Sequence, residues 1–422
     1  MADTTIDAPA RVAAAPVRHH LFESWEVPVY RIILIGSALA FIAFNAWSPA
    51  QGVVAYELTG NNRAVGIVVF GQGLAMTFLN PIAGAIADRM SKRFLILACQ
   101  IVAFVTMITT GILVFTDVIN IPLLALGSFT VGTMFAFNGP ARNALLGDIM
   151  PEERLGNAVA LMQVGANFAR TAAPFLAGAL LAWEAVGATG TYFFMAAVMG
   201  IVILTYRRLP PTPMRANRND TSLMEDVRVG FDHVRETPHL VHALVSYHSV
   251  AMLGFGYTVL MPGFSIDVLH SGNAGVGVLL GAAAAGGVVT SLLAAGLADS
   301  RHASTMLHLA TLMLGVALML TAIAPNLLVA AFTMALVGGG SSAFQTLNNV
   351  VALQYAKQEF FGRVMGFMFM AWGFTNLAGL PVGFLADAYG ERTVIAGMGV
   401  LLCIATVFFA LWGRTLDKAV HR

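Results

Sequence analysis

Apolar residues run along this chain in long blocks, broken by short stretches of Gly, Asn, Pro and charge. A membrane-spanning helix needs about 20 mainly apolar residues. About twelve such blocks are present, near 30–52, 65–87, 94–115, 121–147, 157–181, 190–206, 240–263, 274–298, 303–324, 327–352, 363–386 and 393–412. The breaks carry turn chemistry, as in Gly60-Asn61-Asn62, Met90-Ser91-Lys92-Arg93, Ser271-Gly272-Asn273 and Ala324-Pro325-Asn326. The short alternating segments of a membrane barrel are not seen. The pattern predicts an all-α polytopic membrane protein with twelve transmembrane helices.

One polar stretch, 207–239, divides the array into six spans and six. It contains an amphipathic piece. Ser222 and Glu225 have the spacing of a capping box. Leu223, Val227, Gly230-Phe231 and Val234 make an apolar stripe, expected to lie on the membrane surface or on the helix ends. The expected organisation is a cytoplasmic tail (1–29), a six-helix bundle (30–206), a cytoplasmic linker (207–239), a second six-helix bundle (240–412) and a cytoplasmic tail (413–422). The halves echo each other. Gly84-Ala-Ile-Ala-Asp88-Arg89 follows the second span and Ala295-Gly-Leu-Ala-Asp299 follows the eighth. Two related halves suit an alternating-access protein with its site between them.

Composition sharpens this. Hydrophobic residues make up 58% and charged residues 11% of the 422 residues, against about 25% charged in soluble domains. The net charge is +1. A soluble enzyme and a nucleic-acid-binding module are both excluded. Cys99 and Cys403 lie in apolar runs and read as small core residues. No metal spacing, cofactor motif or mid-span nucleophile–base pair is found, so neither a metal, a cofactor nor an enzymatic activity is expected. Residues 1–29 contain Asp3, Asp7, Glu23 and Glu26. We therefore expect no cleaved signal peptide, and a first helix that is its own anchor. With the N-terminus in the cytoplasm, all 23 Lys and Arg fall on that side except Arg63 and Arg392 outside and Arg142 and Arg170 within helices. That asymmetry predicts cytoplasmic termini.

Polar residues recur on single helical faces. These are Ser37, Phe41, Asn45 and Ser48 on the first span, and Thr130, Met134, Asn138 and Arg142 on the fourth. The fifth carries Gln163, Asn167, Arg170 and Pro174. The tenth carries Ser341, Gln345, Asn348 and Ala352, with Asn349 beside them. Polar groups facing lipid are costly, so these faces should turn inward. Asn45, Ser48, Asn138, Gln163, Asn167, Arg170, Gln345, Asn348 and Asn349 are the candidate cavity residues; helix–helix hydrogen bonding is the alternative for each. Arg170 has no mid-span acid to neutralise it, and either meets substrate or bonds backbone and amide groups. Arg142, nearer the cytoplasmic end, is expected to be structural and near Asp148. Glu57, Asp148, Glu184, Asp267 and Asp387 all fall at helix ends. His248, with Tyr247 beside it on the seventh span, can take up a proton near pH 7; a packing role is the alternative. Met134, Met252 and Met368 are candidates for adaptable cavity wall.

Gly84-Ala-Ile-Ala-Asp88-Arg89-Met-Ser-Lys92-Arg93 resembles the loop motif of the major facilitator superfamily, with Ser91 in place of its second Gly. Pro140-Ala-Arg142-Asn-Ala-Leu-Leu, Asp148-Ile-Met-Pro151, Val229-Gly230-Phe-Asp-His-Val-Arg235 and Leu260-Met-Pro262-Gly-Phe resemble the branch of the enterobactin exporter and macrolide-efflux-like proteins. Asn167-Phe-Ala-Arg170-Thr-Ala-Ala-Pro174-Phe-Leu-Ala-Gly178 resembles that branch and also the antiporter motif, of which Pro174 and Gly178 remain while Ala173 and Ala177 replace two glycines. The resemblance implies two pseudo-symmetric six-helix bundles in a bacterial inner membrane. It implies export of a small amphipathic molecule, drug or siderophore-like, by a monomer exchanging it for protons. Uptake or lipid flipping on the same fold, and a transport-inactive receptor, stay open. Gly84, Asp88, Arg89, Lys92, Arg93 and Asp148 would form the gating motif. Asp148 is the natural partner of Lys92 or Arg93 and, with His248, a candidate for proton coupling.

Overall fold

A computed structural model describes residues 23–183, 185–210, 223–297, 303–355 and 361–420. Ser222 and Glu184 lie outside the described residues. So do the side chains of Gly84, Asp88, Arg89, Gln163, Asn167, Arg170, Leu223, Glu225, Val227, Gly230 and Asn349.

Every described element is helical. The first half holds α1 (Pro28–Thr59), α2 (Asn62–Arg89), α3 (Lys92–Phe115), α4 (Ile121–Ile149), α5 (Glu152–Ala182) and α6 (Gly187–Tyr206). The linker helix is α7 (Leu223–Glu236). The second half begins with α8 (Pro238–Phe255), which continues through a 3₁₀ turn, the short α9 (Met261–Gly263) and a π turn to Val268. It is completed by α10 (Gly272–Leu297), α11 (Ala303–Ala322), α12 (Leu327–Tyr355), α13 (Phe361–Tyr389) and α14 (Glu391–Val420). Among the described residues, eleven helices are long and apolar enough to cross a membrane. The twelfth, α5, is 31 residues long and carries the most polar of the expected stripes. At 32 residues, α1 reaches roughly 48 Å, well beyond the ~30 Å hydrocarbon core. This is why the helices outrun the apolar blocks of the sequence.

Local chemistry sets the helix ends. Pro28 opens α1, and Gly60 closes it in the left-handed region (φ 63°), its N–H bonded to Tyr56 O at 2.6 Å. Asn120 caps α4 by accepting from Leu123 N at 3.0 Å. The break after α8 has a plain cause. Pro262 has no N–H and clashes with the preceding turn, so the α ladder gives way to 3₁₀ and π turns around it.

Packing divides the helices by role. Trp47, Tyr30, Tyr192 and Tyr206 are fully buried around α1. Phe78, Phe94, Phe115, Leu328 and Ile404 are well exposed, which is stable only with lipid as solvent. This is a multi-pass membrane protein. The halves meet along two seams, α2 against α13 and α5 against α10. Backbones touch in both: a Cβ at Gly178 would lie 2.0 Å from Gly277 Cα, and one at Gly66 2.7 Å from Gly379 O. Within the second half, a Cβ at Gly338 would fall onto Ala283 O and one at Gly286 onto Ala335 O, so the Gly-rich runs of α10 and α12 exist to let these helices touch. Neither α1 nor α4 makes extensive contact with α8 or α12.

The linker helix lies against α8 and the ends of α2 and α13. Among its described side chains Phe231 is exposed, His233 buried and Val234 half-buried.

Candidate functional site

Three polar regions stand out. The first seals one end of the space between the halves, where the α1–α2 loop (Gly60, Asn61) meets α9 and the α13–α14 junction. Asp387 accepts from the backbone N–H of Asn62 at 2.7 Å and of Arg63 at 3.1 Å. Its carboxylate is 4.0 Å from Arg63 Nε. Glu391 accepts from Asn62 Nδ2 at 2.7 Å and Glu57 from Asn273 Nδ2 at 2.7 Å. Tyr56 donates to Asp267. Each of these links joins one half to the other. The broken helix makes the approach possible: a Cβ on Gly263 would sit 2.7 Å from both Asn62 Oδ1 and Glu391 Oε1. Among the described residues, the charged links between halves gather at this end.

The second region is a cavity of about 40 Å³ inside the first half, between α1, α3, α4 and α6. Phe44 and Phe135 stack at 3.8 Å, and Phe41 meets Phe135 edge-on at 5.9 Å. Arg142 lies over the Phe41 ring, 4.8 Å from its centroid, where the ring face attracts the cation. Asn138, one helical turn before Arg142 on α4, and Gln100 on α3 complete the polar lining, with Met134 and Cys99 beside them. Arg142 Nε, Asn138 Oδ1 and Gln100 Nε2 are shut off from the surface and have no hydrogen-bond partner among the described residues. Each such atom costs about 1–3 kcal/mol. Unpartnered atoms also occur at Trp47, Gln51, Asn62, Thr77, Tyr192, Ser341 and Asn348; these residues line neither cavity and carry no charge, and Asn62 is held at the sealed end through its other groups.

The third region is a cavity of about 10 Å³ in the second half, lined by Tyr247, Phe255, Gln345, Trp372 and Thr375 among others. Nothing ionic lines it. Tyr247 stacks on Phe344 at 5.7 Å.

Three of the four residues expected on the fourth-span stripe, Met134, Asn138 and Arg142, share the first-half cavity, and Phe41 of the first-span stripe joins them. Asn45 is half-buried and donates to Phe41 O of its own helix at 2.7 Å; Ser48 is half-buried too. Ser37 is buried and bonded to Tyr206 at 3.0 Å. Gln345 lines the second cavity, whereas Asn348 is fully buried and faces no opening in this arrangement. Met368 is buried and Met252 exposed, neither lining a cavity. Pro174 is half-buried, and Gly178 is the point where α5 touches α10. His248 Nδ1 donates to Leu244 O at 2.8 Å, and its ring sits edge-on to Phe374.

Asp148 is taken by Lys92, and Arg93 donates to Arg207 O at 2.8 Å. Arg142 is left facing the cavity instead. The Lys92–Asp148 pair ties α3 to α4 within one half and so does not itself bridge the halves. Gln100 escaped the sequence reading, although a lone amide in the otherwise apolar α3 was the available signal. The sealing contacts of Tyr56, Asn62 and Glu391 had no sequence signal, because their partners are hundreds of residues away.

Comparison with known proteins agrees with this geometry. The family model described as Major Facilitator Superfamily matches residues 33–380. The chain is 25% identical over 377 residues to the staphyloferrin A transporter of Staphylococcus aureus, covering 88% of this chain and 94% of that protein. It is 21% identical over 397 residues to macrolide efflux protein A of Streptococcus pyogenes, covering 92% and 96%. Among solved structures, a bacterial homologue of the human lysosomal transporter Spinster, inward-facing and unoccupied, superposes with a TM-score of 0.76 at 16% identity, covering 93% and 98%. A nucleoside transporter follows at 0.72 and 16%, covering 91% and 99%. Twelve membrane-length helices in two halves, a loop motif after the second, and a family match over most of the length lead to one conclusion: this chain belongs to the major facilitator superfamily, as a transporter.

Proposed function

We propose that this transporter exports a small amphipathic compound, drug or siderophore-like, across a bacterial plasma (inner) membrane by alternating access, in exchange for protons. The observation that carries the reading is the contrast between one end, where charged groups of the two halves pair, and the first-half cavity, where polar groups of α4 have no partner among the described residues. On this reading the sealed end faces outward and substrate enters from the cytoplasm. The Lys/Arg asymmetry supports that orientation and cytoplasmic termini. Export is supported by the likeness to macrolide efflux protein A. Gly84, Asp88 and Arg89, with Lys92, Arg93 and Asp148, act as the gate at the cytoplasmic end. On this reading Gln163, Asn167, Arg170 and Asn349 meet the substrate between the halves. The chain works as a monomer.

A deletion strain tests this directly. It should accumulate, and become sensitive to, at least one compound in a panel of macrolides, other drugs and siderophores. An unchanged profile for every compound would overturn export. For coupling, His248 is the residue proposed to carry the proton through its free Nε2. His248→Ala should change the pH dependence of flux in proteoliposomes; superimposable pH profiles would remove it from the mechanism.

A further inference from the structure

The first-half cavity has a chemistry that its own residues leave incomplete. Arg142 contributes a permanent positive charge, and no carboxylate lines the cavity with it. Its described neighbours are the Phe41 face and, across the helix packing, the Tyr206 hydroxyl. Asn138 and Arg142 are four residues apart on α4 and therefore on one face. Gln100 lies opposite on α3. Neither amide makes a hydrogen bond among the described residues, although each has buried polar atoms. Arg142 is half-buried with its Nε shut off from the surface, and a partly desolvated cation without a counter-charge keeps an affinity for an anion. Two open amides beside it add to that affinity. A group built only for packing would be cheaper as Met or Leu.

The missing partner can be specified. It must be an anion, to answer the guanidinium. It must carry a donor next to that anion, to answer the Asn138 carbonyl. It must also accept from the Gln100 amide. A carboxylate satisfies Arg142 and Gln100, and a hydroxyl on the adjacent carbon satisfies Asn138. The cavity, about 40 Å³, holds a few waters and therefore a small head group, not a whole amphipathic molecule. Its Phe41, Phe44 and Phe135 walls suit the carbon skeleton that follows.

We propose that Arg142, Asn138 and Gln100 form a subsite for an α-hydroxycarboxylate head group, so that the transported compound carries this group. The proposal rests on the transporter reading given above and names the substrate class for it.

The experiment uses the full chain purified in detergent, with L-malate, succinate (the same skeleton without the hydroxyl) and inorganic phosphate as probes in titration calorimetry. Malate should bind, and more tightly than succinate by at least about threefold. Phosphate should be the weakest. Arg142→Gln should weaken malate at least about tenfold, while Asn138→Ala should bring malate down to the level of succinate without affecting succinate. No binding of malate, equal binding by Arg142→Gln, or phosphate binding as tightly as malate would each overturn the proposal. Equal affinity for malate and succinate would overturn the hydroxyl assignment. If Arg142→Gln fails to fold, Asn138→Ala and Gln100→Ala carry the test alone. Transport is scored separately: a chain that exports drugs but ignores malate refutes only the subsite, and one that binds malate but moves nothing refutes only the transport reading.

Discussion

The sealed end and the first-half cavity use the same kinds of group in opposite ways. At the sealed end, Asp387 meets two backbone N–H groups, Glu391 meets Asn62, Glu57 meets Asn273 and Asp267 meets Tyr56. In the cavity, Arg142 Nε, Asn138 Oδ1 and Gln100 Nε2 meet nothing described. Paired polar groups hold one arrangement of the two halves. Unpaired ones weaken the fold and keep an affinity for something outside it. Stability and binding are thus assigned to different regions, and substitutions should separate them.

The largest loss of stability is expected where a paired cation is turned into an unpaired one away from any cavity. Lys92 is almost fully buried against Asp148. Asp148→Ala should cost about 3 kcal/mol in detergent unfolding; a loss below 1 kcal/mol would show that an orphaned cation is tolerated here anywhere, and would break the contrast. A smaller loss is expected at the sealed end. Asp387→Ala leaves the N–H groups of Asn62 and Arg63 without their acceptor, at roughly 2 kcal/mol. The side chain of Asn62 bonds Glu391, so in a double-mutant cycle Asn62→Ala and Glu391→Ala should couple by more than about 0.5 kcal/mol; additive effects would mean that the two halves are not held by that bond. The smallest change is expected for Arg142. Arg142→Gln should leave the unfolding midpoint unchanged or slightly raised, since it removes a partly buried charge that no described residue neutralises. A midpoint lowered as much as by Asp148→Ala would make Arg142 a structural residue.

The spans were legible because lipid imposes a rule that a single sequence displays: about 20 apolar residues for each crossing, with charge at the ends. The fourth-span stripe was legible for the same kind of reason, since Met134, Asn138 and Arg142 follow one helical period. Which stripe residue faces a cavity was not legible. Asn138 and Asn348 look alike in sequence, yet one lines a cavity and the other is enclosed without a partner. Asp148 had three basic residues within reach along the chain, and only the packing of α3 on α4 gave it to Lys92.

By itself, then, the sequence determined the solvent, the number and kind of elements, their division into two halves and the family. All of these follow from local composition and period along one chain. The tertiary structure decided which carboxylates pair across the halves and where a cation is left facing a cavity. Those outcomes depend on contacts between residues as far apart as Tyr56 and Asp267 or Asn62 and Glu391. Such contacts are set by how twelve helices pack, which no local pattern encodes.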